Sequence, residues 1–379
     1  MPARVAINAS IIGAKPTGLG IYTIKLVRAL DRIRTDLLVL TSSPEALGSL
    51  RAPAIRIPRL VRPERGMGGH LARLLLTQML YPIIARIRGL RAVLHTVPEA
   101  PLRAAVPQLT IVHDLLPLAF PTEYPRQQYY FRFFVPRVLA ASGAVAADSE
   151  STRIDVIERY GISGEKVHVV YPGCDRRVFY PNGSESPGGG GSPYILYVGN
   201  LLPHKNVLGL IDAFAVLRRR AACRLVVRGE GRPRYVRDVL RRVEALGLKE
   251  AVTVLGYIGE GRLRRLYCDA ACVVVPSLRE GFGLPVVESM ACGTPVITSS
   301  CPALLETGGD AALRVDTQDV TGLADAMYRL LTDSGLRREL CERGLRRAAE
   351  FTWDRTAETI SALLDAAIQE PGRGDVLRR

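Results

Sequence analysis

Short apolar runs and longer mixed stretches alternate along the chain. RVAINAS (4–10), LLVLTS (37–42), AIRIP (54–58), AVLHTV (92–97), LTIVHD (109–114), AVAADS (144–149) and VHVVYP (167–172) have the length and Val/Ile/Leu content of strands. Between several of them apolar residues recur three or four apart, which predicts helices near 21–30, 70–88, 126–141 and 150–160. The rhythm restarts with strands at ILYVG (195–199), RLVVRG (224–229), VTVLGY (252–257), CVVVPS (272–277) and PVITS (295–299). Helices are predicted there over 206–220, 232–246, 285–292, 320–332, 335–350 and 353–369. Continuous apolar runs alternating with amphipathic helices indicate an α/β fold, with parallel sheets covered on both faces.

The stretch NGSESPGGGGSP (182–193) has no apolar period and reads as a linker. It divides the chain into two Rossmann-like, doubly wound domains, 1–181 and 194–352. Ligands of such sheets sit beyond the carboxyl ends of the strands, so a cleft between facing domains is the expected site.

Charge sharpens this picture. The net charge is +14, and residues 1–185 carry 24 Lys and Arg against 14 Asp and Glu, a net of +10. Residues 51–91 hold nine Arg and one acid, Glu64. That excess suits anionic partners such as pyrophosphates or lipid headgroups. It also suits a solvated surface in a chain whose 51 basic residues include only five lysines. The segment GHLARLLLTQMLYPIIARIRG (69–89) carries the same ambiguity. It reads either as an arginine-bearing helix for a membrane surface or as a core-facing helix with a solvated basic side. Nucleic acid is not expected, since no basic–aromatic stacking motif accompanies the charge. The seven cysteines show no metal or disulfide spacing, which fits reduced thiols and a cytoplasmic setting. No signal peptide or spanning segment is read from the chain, and neither a metal nor a cofactor is expected.

Candidate chemistry lies at strand ends. In LREGFGLPVVESMACGTPVI (278–297) a loop with Gly281 and Gly283 meets a helix started by Pro285 and ended by Gly293. Free N–H groups near 281–284 can bind an anion, and the glycines permit close approach. Glu288 is expected in the first helical turn and Glu280 in the loop. Both can accept hydrogen bonds from sugar hydroxyls, while the plainer reading makes one a dipole-favoured charge and the other a solvated one. In YILYVGNLLPHKN (194–206), Lys205 stands where the helix dipole disfavours a cation, which points to a phosphate partner. PTGLGIYT (16–23) places Gly18 and Gly20 between the first strand and first helix, but neither it nor GEG (229–231) completes a dinucleotide fingerprint. In TIVHDLLP (110–117), His113 closes a strand beside Asp114 as a catalytic or a structural residue.

Together these segments resemble the retaining glycosyltransferases of family 4, which have the GT-B fold of two facing Rossmann-like domains. AVAADSESTRIDVIERYGISGEKVHVVYPGCD and VTVLGYIGEGRLRRLY complete the set, and the likeness to bacterial mannosyltransferases of polysaccharide assembly is strongest. The resemblance implies that Glu280 and His113 contact the donor sugar and that Lys205 neutralises the leaving diphosphate. It implies that Glu288 holds the ribose, that backbone at Phe282, Gly283 and Leu284 meets the sugar and pyrophosphate, and that Tyr257 lines the base pocket. Gly18 and Gly20 would form a loop over the pyrophosphate, and the helix from 353 would return to the first domain. Relatives often carry Arg where Asn200 or His204 stands, which makes Arg279 and Arg228 the alternatives for a second cation. The implied reaction is metal-independent transfer of a hexose, mannose favoured. The donor would be a nucleotide sugar, GDP-mannose first and a UDP-sugar next, and the acceptor a glycan or lipid-linked acceptor. An anionic membrane surface is a further expected partner. A nucleotide-sugar epimerase and an inactive sugar-binding module are the competing readings.

Overall fold

The computed structural model describes residues 4–14, 16, 18–182, 192–316 and 318–369. They form two compact units. One takes the chain up to Gly173 together with the segment from Trp353 onward, and the other is Cys174–Thr352. The expected boundary at 181 falls inside the second unit. Cys174 and Phe179 are buried in that unit's core, with the Phe179 ring edge-on to Tyr267 at 5.9 Å. Cys174 N–H also donates to the Phe351 carbonyl at 3.0 Å. Most of the expected linker, 183–191, lies outside the described residues.

Unit 1 holds seven strands: β1 (Val5–Asn8), β2 (Leu37–Thr41), β3 (Ala54–Arg56), β4 (Ala92–His95), β5 (Gln108–Val112), β6 (Ala144–Ala147) and β7 (Val167–Val169). All neighbours are parallel, in the order β3-β2-β1-β4-β5-β6-β7. Side chains leave a strand to alternate faces. Val5 and Ile7 therefore pack with helix α1 (Gly18–Ile33), while Ala6 packs beneath helix α2 (Gly66–Ile87). Helix α1 begins before the expected Ile21, so Gly18 and Gly20 lie in its first turn and not in a preceding loop. Glycine is a poor helix former, which is why the apolar period alone missed that turn. Helix α2 runs unbroken through Pro82.

Unit 2 repeats the plan with β8 (Tyr194–Val198), β9 (Arg224–Arg228), β10 (Val252–Leu255), β11 (Cys272–Val275), β12 (Val296–Ser299) and β13 (Ala312–Val315). The order is β10-β9-β8-β11-β12-β13, again all parallel. Two of its helices position the candidate chemistry, α3 (Val207–Leu217) and α4 (Leu284–Ala291). Strand β13 and the helix Glu260–Asp269 were not expected. The strand is a half-exposed edge, and the helix buries only Leu263 and Tyr267.

A final helix, α5 (Trp353–Gln369), belongs to unit 1. Trp353, Ala357, Ile360 and Leu364 complete the core formed by α1 and the sheet. Thr356 Oγ1 donates to the Tyr171 carbonyl at 2.8 Å, and Arg34 bridges to Asp365 at 2.8 Å.

Candidate active site

In unit 2 the strand order reverses between β8 and β11. Loops leaving the carboxyl ends of two such strands turn to opposite faces, which opens a crevice between them. Lys205 comes from the first of these loops and Glu280 from the second.

The loop after β8 is fixed by backbone contact with the loop after β9. Leu201 N–H donates to the Glu230 carbonyl at 2.8 Å. A Cβ on Gly229 would lie 1.9 Å from the Gly199 carbonyl oxygen, and one on Gly231 would lie 2.1 Å from that of Leu201. The GEG triplet therefore serves this close approach and not a nucleotide fingerprint. Pro203–Lys205 then form one 3-10 turn, and Asn206 turns the chain into α3 at φ +54°. Leu278 N–H donates to the buried His204's carbonyl at 2.8 Å, which pins this turn to the loop after β11.

That pin brings the two charged residues together. Lys205 Nζ lies 2.6 Å from both carboxylate oxygens of Glu280. Ser277 Oγ donates to Glu280 Oε1 at 2.7 Å, and Ser299 Oγ holds the Ser277 carbonyl at 2.5 Å. The Lys205 and Glu280 side chains are only 16% and 12% exposed. Expected to meet different parts of a ligand, they are here each other's partners.

Helix α4 starts beside this pair. Gly283 precedes it at φ +104°, and a Cβ there would meet Leu304 Cδ2 at 2.5 Å. The Phe282 ring is buried edge-on to Phe351, so only its backbone is available to a ligand; its carbonyl accepts from Thr307 Oγ1 at 2.6 Å. Leu284 is the first helical residue and half-buried. Glu288 is the fifth, which puts it in the second turn and not in the first as expected. Its Oε2 accepts from Tyr267 Oη at 2.8 Å. Burial first, then the Glu288 charge, push the Tyr267 phenol far above its ordinary value, so it stays a donor.

Tyr257 is exposed, with its ring 5.6 Å from the Arg228 guanidinium. Arg228 Nε is buried and has no hydrogen-bond partner among the described residues. The Asn200 side chain is exposed, and its carbonyl accepts from Tyr197 Oη at 2.9 Å.

In unit 1, both nitrogens of His113 are engaged. Nδ1 lies 2.7 Å from Asp148 Oδ2, and Nε2 lies 2.8 Å from the Thr96 carbonyl. Two acceptors require two N–H donors, which is the imidazolium form. Burial alone would lower the His113 pKa; Asp148 and the Thr96 carbonyl outweigh it and raise it. Both ring nitrogens thus have partners within unit 1. Gly18 has no atom near the place of a Cβ, while Gly20 packs against Pro16.

The motifs did not reveal Ser277, Tyr267 or Asp148. Ser277, two residues beyond β11 and three before Glu280, is the one of the three that lies near its partner in sequence. Tyr267 and Asp148 come from other elements, so no local spacing links them to their partners. Among the described residues, no group of three or more His, Cys, Asp or Glu could hold a metal ion.

Residues 16–178 match the family model described as Glycosyltransferase Family 4, and residues 184–347 match that described as Glycosyl transferases group 1. The chain is 37% identical over 171 residues to O-antigen chain mannosyltransferase B of Escherichia coli, a match covering 45% of each protein. It is 29% identical over 322 residues to O-antigen chain mannosyltransferase RfbU of Salmonella typhimurium, covering 83% of this chain and 87% of that one. Among solved structures, sucrose-phosphate synthase from Thermosynechococcus elongatus superposes with a TM-score of 0.80 at 22% identity, over 97% of this chain and 99% of that chain. HepE from Anabaena, in complex with UDP and glucose, gives 0.76 at 19% identity, over 96% and 100%. At these identities the structural likenesses establish the fold.

Proposed function

Because the chain belongs to the family 4, group 1 glycosyltransferases, we propose that it moves a hexosyl group from a nucleotide-diphosphate sugar to a glycan or lipid-linked acceptor with retained configuration. The observation that carries this reading is the Lys205–Glu280 pair beside the start of α4, where the strand order reverses. Mannose is the favoured sugar and GDP the favoured carrier, with a UDP-sugar next. The relatives named as O-antigen mannosyltransferases support that preference and a role in cell-surface polysaccharide synthesis. The work would take place at the cytoplasmic face of the membrane.

The pair explains how charge is handled. Without donor, Lys205 is neutralised by Glu280. An arriving diphosphate takes the ammonium, and Glu280 is released to accept hydrogen bonds from the sugar's hydroxyls. As the bond to the anomeric carbon breaks, charge grows on the diphosphate, and Lys205 with the positive end of the α4 dipole stabilises it. The acceptor hydroxyl adds on the face the diphosphate leaves, and its proton passes to the departing phosphate oxygen. Glu288, held by Tyr267, takes the ribose hydroxyls, and Tyr257 borders the base. Arg228 supplies the second cation, since its buried Nε lacks a protein partner. His113, bound to Asp148 and to the Thr96 carbonyl, holds the end of β5.

Calorimetry with GDP, UDP, ADP and their sugars tests the donor. Nuclear magnetic resonance of the product tests the anomeric outcome. Inverted configuration, or conversion of the donor with no acceptor present, overturns the proposal.

A further inference from the structure

Helix α2 is apolar on its outer side as well as toward the core. The row it buries is Gly69, Arg73, Thr77, Tyr81 and Ala85, which includes an arginine, a threonine and a tyrosine. The row it exposes is Met67, Leu71, Leu75, Met79, Ile83 and Ile87, spaced four apart and 39–76% exposed. Leu76, Leu80 and Ile84 flank the buried row against the core, whereas an ordinary surface helix turns a polar face to solvent.

The buried charge is settled internally. Glu99, itself buried, accepts from Arg73 Nε at 2.7 Å and from a second guanidinium nitrogen at 3.1 Å, while Arg73 also donates to the Val61 carbonyl at 2.8 Å. His70 Nδ1 lies 2.9 Å from the same carboxylate. Burial would raise the Glu99 carboxyl, but His70 and Arg73 more than reverse it, so the carboxylate stays charged. The fold thus stabilises a buried ion cluster under a helix whose outer face is left apolar for about 30 Å. A continuous exposed strip of this size marks an interaction surface.

Charge identifies the occupant. Arg59 and Arg65 precede the exposed row, and Arg86, Arg88 and Arg91 follow or end it, all exposed. Glu64 is the only acid between Glu45 and Glu99. The helical run 127–141 meets α2 through the edge contact of Tyr130 with His70 at 4.8 Å. It exposes Tyr129 and Phe133 together with Arg132 and Arg137. Apolar side chains rimmed by arginines and aromatics match hydrocarbon beneath anionic headgroups. A second copy of the chain would bring another +14 against the same arginines.

We propose that α2 lies in the plane of an anionic bilayer, with the Met67–Ile87 row in the acyl boundary and the flanking arginines on lipid phosphates. It does not cross: among the described residues no helix is long and apolar enough to do so. Only the purpose of this docking, delivery of the enzyme to a lipid-linked acceptor, rests on the proposed function.

The test is sedimentation of the full chain with vesicles of phosphatidylcholine alone or mixed with phosphatidylglycerol. The parent protein is expected to pellet with the anionic vesicles and to be released by salt. A variant with Leu71→Gln, Leu75→Gln and Met79→Gln should partition about tenfold or more weakly, since three well-exposed apolar side chains are lost. The substitutions are at the surface, so its melting temperature and its transfer to a soluble acceptor should match the parent's. Failure of the parent to bind anionic vesicles overturns the inference, as does equal binding by the variant. A dimer seen by light scattering and abolished in the variant, without vesicle binding, assigns the face to a second copy instead. Vesicle binding without any sugar transfer would sink the enzymatic proposal and leave this one standing.

Discussion

Replacing Glu280 by glutamine should separate donor binding from turnover. The substitution keeps the shape and the Ser277 hydrogen bond but removes the charge that holds Lys205. At 2.6 Å the bare attraction between the two is about 6 kcal/mol for an effective dielectric near 20. Dehydration of both ions cancels most of it. If about a quarter survives as competition against an incoming diphosphate, its removal tightens nucleotide binding by about 1.4 kcal/mol, or tenfold. Calorimetric titration of GDP and UDP into the Glu280→Gln and parent proteins measures this directly. Transfer by the variant should fall about a hundredfold or more, because the sugar loses its carboxylate acceptor. Lys205→Met should lose both affinity and turnover. A Glu280→Gln protein that binds neither nucleotide more tightly refutes the exchange of Lys205 from glutamate to diphosphate.

Glu288→Ala should weaken free-nucleotide binding about tenfold and cost about 1–3 kcal/mol of stability, since it strands the buried Tyr267 hydroxyl. Paired titration and denaturant melts check both, with Tyr267→Phe expected to do less harm. Gly283→Ala should destabilise unit 2 by about 2–4 kcal/mol through its left-handed backbone and the Leu304 collision, while Gly18→Ala, with open space around it, should be almost silent in urea melts. His113 has a raised folded pKa, so its contribution to stability is complete below the unfolded imidazole value near 6.5 and is lost as pH rises through the folded value. Urea melts from pH 6 to about pH 9 should show that decline. Asp148→Asn should flatten it, and an unchanged slope would count against the imidazolium. Cys268, held below the ordinary thiol range first by its bond from Cys292 and also by Arg264, should be the first of the seven cysteines alkylated by iodoacetamide, as read by peptide mass.

The strand and helix rhythm made the doubly wound sheets legible, because buried parallel strands carry unbroken apolar runs. Elements whose burial is slight escaped: the edge strand β13 and the helix around Leu263 and Tyr267 leave little period to read. The candidate site was legible where one loop carries its own chemistry, as with Glu280, Gly283 and Lys205. Partners supplied from distant elements were not. Ser277 could be glimpsed, but Tyr267 on Glu288 and Asp148 on His113 are products of the tertiary fold. Asp148 in turn decides that His113 has no spare nitrogen. Helix α2 is the sharpest lesson. Periodicity located its two faces but could not say which was inside, because that depended on Glu99, distant in sequence, neutralising Arg73.

The return of α5 also dictates an order of assembly. Residues 174–352 are contiguous, so unit 2 can close its core as soon as it leaves the ribosome. Unit 1 is synthesised first yet cannot finish, because Trp353, Ala357, Ile360 and Leu364 are made only after the whole of unit 2. During that interval the surface of α1 and the sheet awaiting α5 is an open apolar groove. A nascent chain stalled with residues up to 352 outside the ribosome and α5 still inside it is therefore expected to be a chaperone client through its older half, while its younger half is already native.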